Sequence, residues 1–157
     1  KFFLKTLYTS LIYPVYVLKD SKLYEMYENK EYTPLSVDDA IERVYYILKE
    51  CKKTDVKIIR IGLQTTDEIT SSNSQIVGPV CDNFAEYVLS KIVLDDIEKY
   101  ISKNNIKYEE NIKKKINIYT NNNYASIIVG PEKVNKKYLK EKYGIDIKIK
   151  GENKWKK

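Results

Sequence analysis

Hydrophobic positions in this chain change their period several times, and each change marks an element. Leu11-Ile12-Tyr13-Pro14-Val15-Tyr16-Val17-Leu18 is a short run of apolar, β-branched and aromatic residues, which predicts a buried strand. Lys19-Asp20-Ser21 closes it and offers a cap to a short helix from Lys22 to Glu28. Pro34 leads into Ser36-Val37-Asp38-Asp39, a serine followed three residues later by an acid, which marks a helix start. Apolar residues then recur at spacings of three and four through Ala40, Ile41, Val44, Tyr45, Leu48 and Cys51, so this helix has one apolar face. Thr54-Asp55 ends it, and Val56 to Gln64 reads as a second strand. Strand, helix, strand with a crossover of this length predicts a βαβ unit and hence a parallel sheet.

Between Gln64 and Phe84 the chain turns polar, through Thr65-Thr66-Asp67-Glu68, Ser71-Ser72-Asn73-Ser74 and Gly78-Pro79, and a long loop, functional or disordered, is expected. Helical spacing resumes from Phe84 to Ser102 through Val88, Leu89, Ile92, Val93, Ile97 and Ile101, and Asn104-Asn105 closes it. The last third has its own order. Ile116 to Tyr119 alternates like a strand, Tyr124 to Val129 forms a short helix, and Gly130-Pro131-Glu132-Lys133 a turn. Val134 to Tyr143 forms a second helix and Ile145 to Ile149 a final strand. Gly144 stands where a C-terminal helix glycine belongs. Strand, helix, glycine turn, helix, strand is the core order of a KH-type module, whose GXXG loop clamps a nucleotide backbone.

Composition narrows the chemistry. At 157 residues the chain forms one domain, or one domain with a small appendage. No stretch approaches the roughly 18 apolar residues that a membrane span requires. The opening Lys1-Phe2-Phe3-Leu4-Lys5 has no long apolar core or small-residue cleavage site behind it, so it is not read as a signal peptide. The first residue is not Met, which suggests a piece of a longer product. Cys51 and Cys81 match no disulfide framework or metal-ligand spacing, and two reduced thiols in a cytoplasmic protein is the simplest reading. The chain has no histidine, which removes Ser-His-Asp and Cys-His catalysis and makes a zinc site built from this chain alone improbable. Net charge is +6, skewed toward the lysines of the final third, which suits a nucleic-acid partner. Abundant Lys, Asn, Ile and Tyr together are also what an A/T-rich genome produces, so charge alone does not decide.

A set of motifs carries a resemblance. Tyr13-Pro14-Val15-Tyr16-Val17-Leu18-Lys19, Leu23-Tyr24-Glu25-Met26-Tyr27 and Tyr32-Thr33-Pro34-Leu35-Ser36 with Ala40 resemble the segment that follows the cofactor-binding half of clostridial-type radical-SAM proteins. Ile59 to Asp67 is similar to that group's IRIGLQPT stretch, and Val77-Gly78-Pro79 with Phe84 to its AGPFHPAF stretch. Ile127 to Asn135 is similar to its closing VIGxKKxN motif. In this family's order, nearly the whole chain resembles the C-terminal region of radical-SAM proteins of the Elongator catalytic subunit-like, oxygen-independent coproporphyrinogen III oxidase-like group. Two departures stand out. Val80-Cys81 occupies the place of Phe-His, and Thr65 that of proline, which implies a different substrate or lost activity.

The resemblance implies an α/β fold. Residues 1–110 would form the last βα units of a partial (β/α) barrel, and residues 111–157 a small basic KH-like α+β module. It also implies a [4Fe-4S] cluster and S-adenosylmethionine in the parent protein. The CX3CX2C cluster motif is absent from this chain, so no catalytic residue is expected in it. Alternate side chains of a barrel strand face the lumen. With Ile59, Ile61 and Leu63 toward the outer helices, Arg60, Gly62 and Gln64 become candidates for cofactor or substrate contact at the strand's C-terminal end. A barrel salt bridge for Arg60 and a strand-end cap for Gln64 are the plain alternatives. Tyr13 and Tyr16 are expected to fill core and Cys81 to be an inert thiol. In the tail, Gly130, Lys133, Asn135, Lys136 and Lys137 are the candidate contacts to RNA, tRNA included. The alternatives are a solvated basic face, with Asn135 bonded to backbone. Pro131 removes one backbone donor from that loop and Glu132 adds a repelling charge. A third reading is a scaffold fragment whose open sheet edge favours a homo-oligomer.

Overall fold

The computed structural model describes residues 9–63, 76–106 and 114–151. The chain is a mixed α/β protein that divides into two compact units, residues 1–85 and 86–157.

The first unit is built on β1 (Thr9–Ile12), β2 (Val17–Leu18), α1 (Lys22–Glu28), α2 (Val37–Cys51), β3 (Lys57–Ile61) and β4 (Ile76–Val77). β1 and β3 pair in parallel, as the strand–helix–strand order predicts, and β2 pairs antiparallel with β4. The single strand expected over Leu11–Leu18 is instead two short ones. Pro14 lies between them and has no N–H to give a ladder, so the chain breaks there and re-pairs elsewhere. Ser21 and Ser36 cap α1 and α2 as expected. The Ser36 hydroxyl oxygen accepts from the Asp39 amide at 3.0 Å, and its proton goes to the Asp39 carboxylate at 2.7 Å. Ala40, Ile41, Val44, Tyr45 and Leu48 are buried, which is the apolar face that the spacing predicts.

β3 carries one irregularity that matters. Ser10 stands opposite Ile58, but Leu11 stands opposite Arg60, so Ile59 is an extra residue in the pairing. A bulge of this kind resets the alternation of the strand. The place expected for Ile59, packed against the outer helices, is therefore not found: it is 57% exposed.

The second unit contains the body of α3 (Phe84–Lys103), then β5 (Lys114–Thr120), α4 (Ala125–Val129), α5 (Val134–Tyr143) and β6 (Ile145–Gly151). Short 3₁₀ turns occupy Asn122–Tyr124 and Pro131–Lys133. β5 and β6 pair in parallel from Lys114 opposite Ile145 to Thr120 opposite Gly151. Ile101, Ile128, Leu139, Ile145 and Ile147 form the core, with Val93, Ile97, Ile116 and Ile118 packed on it. α3 thus supplies three of these side chains, and the compact units part at residue 85/86. Gly144 takes the left-handed conformation (φ 64°) at the end of α5, the role its position predicts. Among the described residues no helix is long and apolar enough to cross a membrane.

One surface network ties α5 to α3. Glu98 accepts from Tyr143 at 2.7 Å, Tyr138 at 2.9 Å and Lys142 at 2.9 Å. Partial burial alone would push the Glu98 carboxyl up, but the bonds from Lys142, Tyr143 and Tyr138 outweigh it and hold the group below its ordinary 4.5. A carboxyl lowered by folding adds stability that is complete above its ordinary value and is lost as pH falls through the lowered one. The stability difference between the wild type and Glu98→Gln should therefore be largest near neutrality and shrink in acid. Thermal melts across the acid range check this, and a difference that grew in acid would contradict it.

Candidate functional site

In the first unit the structure describes two of the three residues expected to share a lumen. Gln64 lies outside the described residues. Arg60 is exposed on β3. Gly62 is buried just beyond the end of β3, and its amide donates to the Ile12 carbonyl at 2.8 Å, extending the β1–β3 ladder. Its φ is +73°, and a Cβ placed there would stand 3.3 Å from Cδ1 of Phe84. The missing side chain makes room for the Phe84 ring, itself 3% exposed. The same logic applies at Gly78, where φ is +129° and a Cβ would stand 3.1 Å from the Val15 carbonyl oxygen.

Cys81 follows this turn. Burial pushes its thiol up, and the charges of Asp82 and Asp38 push it further, so at neutral pH it is a protonated donor, given to the Asp82 carbonyl at 3.1 Å. Among the described residues the charges that act on it are acidic, the opposite of the cationic surroundings that activate a thiolate. Tyr16 is raised as well, first by burial and then by Cys81. Tyr13 is 39% exposed, outside the core expected for it.

A [4Fe-4S] cluster does not fit the donor set of this chain. It needs clustered thiolates, while the sequence offers two cysteines far apart. Among the described residues no group of three or more His, Cys, Asp or Glu side chains is placed to hold a metal.

In the second unit the candidates do gather, around residues 130–137. Gly130 is buried with φ 78° and ψ 152°, a region open essentially to glycine alone. Glu132 (φ 51°) and Lys133 (φ 62°) follow in left-handed conformations, and the Lys133 amide donates to the Gly130 carbonyl at 2.9 Å. Two adjacent left-handed residues that are not glycine store strain, of order 1–2 kcal/mol each. The loop holds that shape because Asn135 pins it. Its amide nitrogen donates to the Ser90 carbonyl at 2.9 Å and the Ile128 carbonyl at 3.2 Å. Asn135 is 2% exposed, so the RNA contact expected of it is corrected: it is an internal clamp. Lys133 and Lys137 are exposed, while Lys136 is half-buried and paired with Asp146 at 3.1 Å.

A surface that the motif reading passed over lies on the β5–β6 sheet. Ile116, Ile118, Ile145, Ile147 and Ile149 point to the core, so the alternating positions between them point away. In register, those are Lys115 opposite Asp146, Asn117 opposite Lys148, and Tyr119 opposite Lys150. Tyr119 is 63% exposed, with the Lys150 ammonium 5.6 Å from its ring centre. The signal was present in the period-2 alternation of residues 115–119, which sequence reading used only to name a strand.

Comparison with known families decides the first unit. The pattern of the Radical_SAM C-terminal domain matches residues 11–93, from β1 into α3. The chain belongs to the Radical_SAM C-terminal domain family. No curated protein and no solved structure matches it significantly. The Radical_SAM C-terminal match spans the β1–α2–β3 unit, Gly62, Gly78 and Phe84. The loop at 130–137 and the β5–β6 face lie beyond it.

Proposed function

We propose that this chain is the C-terminal, substrate-side region of a radical-SAM enzyme of the oxygen-independent coproporphyrinogen III oxidase-like or Elongator-like type. It does not catalyse alone. The observation that carries the reading is the family match over a βαβ unit whose parallel sheet, among the described residues, is two strands wide. Parallel sheets are normally covered on both faces and extended at their edges. Here Leu11 and Ile59, on the paired strands, are 49% and 57% exposed. Such a pair suits the last strands of a partial (β/α) barrel.

In that setting the family's [4Fe-4S] cluster and S-adenosylmethionine belong to the parent enzyme, with the cluster ligands on another segment of it. This chain would supply barrel wall, with Arg60 and Gln64 near the C-terminal end of β3, where barrel enzymes present their contacts. Gly62 keeps only its backbone for such a role. The test is anaerobic purification of the native gene product with mass, iron and sulfide determination. About four irons per chain in a product well above 18.5 kDa is the expected result. A native product of that lower mass without iron would overturn the reading.

A second reading has its own support in the loop at 130–137. A KH-like module would present Lys133 and Lys137, on the turn shaped by the buried Gly130, to an RNA backbone, tRNA included, with Lys136 partly engaged by Asp146. The reduced cysteines fit a cytoplasmic protein. The exposed β1–β3 pair would also admit self-association if no other strand covers it.

A further inference from the structure

We infer that the outward face of the β5–β6 sheet is a stacking platform for a single-stranded nucleic acid, with Tyr119 as its aromatic seat. The inference goes beyond the proposed function, because it concerns neither the barrel nor the loop at 130–137.

Three observations carry it. A parallel strand pair with one face left to solvent is unusual, since parallel sheets are commonly covered on both sides. In this one the inner face is filled by isoleucines, while on the outer face Lys115, Asn117, Tyr119 and Lys148 are exposed. The outer face is also not apolar, so neither a helix nor a second hydrophobic sheet is its natural cover. It bears Lys115, Asn117, Lys148 and Lys150 around one ring. Asp146, the acid on this face, is already paired with Lys136 at 3.1 Å, so it does not repel an anion. Finally, Tyr119 is 63% exposed and has Lys150 beside it, close enough for a cation–π contact. A base stacked on that ring would put its phosphates among Lys148 and Lys150, which lie about 6.6 Å apart along the strand. Exposed aromatics interleaved with lysines on a sheet are how proteins hold unpaired bases, with ring stacking for the base and ammonium groups for the backbone.

The occupant is therefore a polyanion with flat, unpaired π-faces. Double-stranded nucleic acid hides its bases, and an anionic membrane has no rings to stack.

The test uses the full chain and a fluorescein-labelled oligouridylate of about ten nucleotides, read by fluorescence anisotropy. Tyr119→Ala should weaken binding roughly tenfold while Tyr119→Phe, which keeps the ring, stays near wild type. Lys150→Gln should lower the slope of log Kd against log salt by about 0.7. If Tyr119→Ala does not fold, Tyr119→Leu, which keeps an apolar side chain on the strand but removes the ring, takes its place with the same expected loss. Four results would overturn the proposal. One is no binding at low salt. Another is equal binding by well-folded wild type and Tyr119→Ala, which would mean charge attraction alone. The third is loss of binding in Lys133→Gln with Lys137→Gln but in neither sheet variant, which would move the site to the loop. Binding to phosphatidylserine vesicles that exceeds oligonucleotide binding would also overturn it. Iron content of the native product bears on none of these outcomes, so this inference and the enzyme reading fail separately.

Discussion

Replacing Leu139 with alanine should lower the stability of the second unit by about 3 kcal/mol, the middle of the range for emptying a fully buried leucine site. Leu139 is 0% exposed and belongs to the cluster of Ile101, Ile128, Ile145 and Ile147. Its neighbours come from α3, α4 and both strands of the sheet. A collapse that filled the cavity would have to move a helix against a hydrogen-bonded sheet, so little relief is available. Lost contacts then add to the lost transfer free energy. Urea unfolding followed by circular dichroism measures the effect. Lys140→Ala, one residue on and exposed, serves as a control that should stay within about 0.5 kcal/mol of wild type. A loss below about 1 kcal/mol at Leu139 would show that the site is not closely packed.

Gly130→Ala should cost about 3 kcal/mol by a different route, backbone strain joined to a collision. The torsions at this position exclude a side chain. A Cβ would stand 2.8 Å from Cγ1 of Val134, 3.0 Å from the Asn135 backbone nitrogen and 3.1 Å from Cγ of Asn135. Val134 can turn aside, but the Asn135 nitrogen belongs to helix α5 and cannot. Any adjustment there disturbs the amide that bridges Ser90 and Ile128, so buried carbonyls lose their donor. Gly151→Ala is the matching control, because nothing lies within 4 Å of a Cβ at that end of β6. Melting temperatures of the two variants should diverge clearly, with Gly151→Ala near wild type. Similar losses at both glycines would refute the collision argument.

Much of the fold was legible because local rules and tertiary structure agree. Ser36 three residues before Asp39 gave the start of α2, and the apolar stripe from Ala40 to Leu48 gave its buried face. Gly144 gave the end of α5. Other features were hidden for identifiable reasons. Pro14 sits inside an apolar run, and only the pairing of β2 with β4 reveals that the run is two strands. The bulge at Ile59 depends on the register of two strands distant in sequence, so period-2 reasoning put Arg60, Gly62 and Gln64 on one face and misplaced Ile59. For Gly62, the sequence could not tell room for a ligand from room for Phe84, because both require an absent side chain. Asn135 was open to both readings until its burial and two bonds appeared. Tyr119 was lost among many tyrosines, and only the core position of Ile116 and Ile118 turns it outward.

The loop between α4 and α5 joins opposite mutational slopes within a few residues. At Gly130 every substitution adds strain and overlap. At Glu132 and Lys133, whose side chains are exposed and whose backbones are left-handed, glycine would relax the chain. A lineage can therefore drift freely between charged residues and glycine at the last two positions while the first stays fixed. The backbone path of this loop should outlive its spelling, and related loops are better sought by their torsion angles than by a pattern of letters.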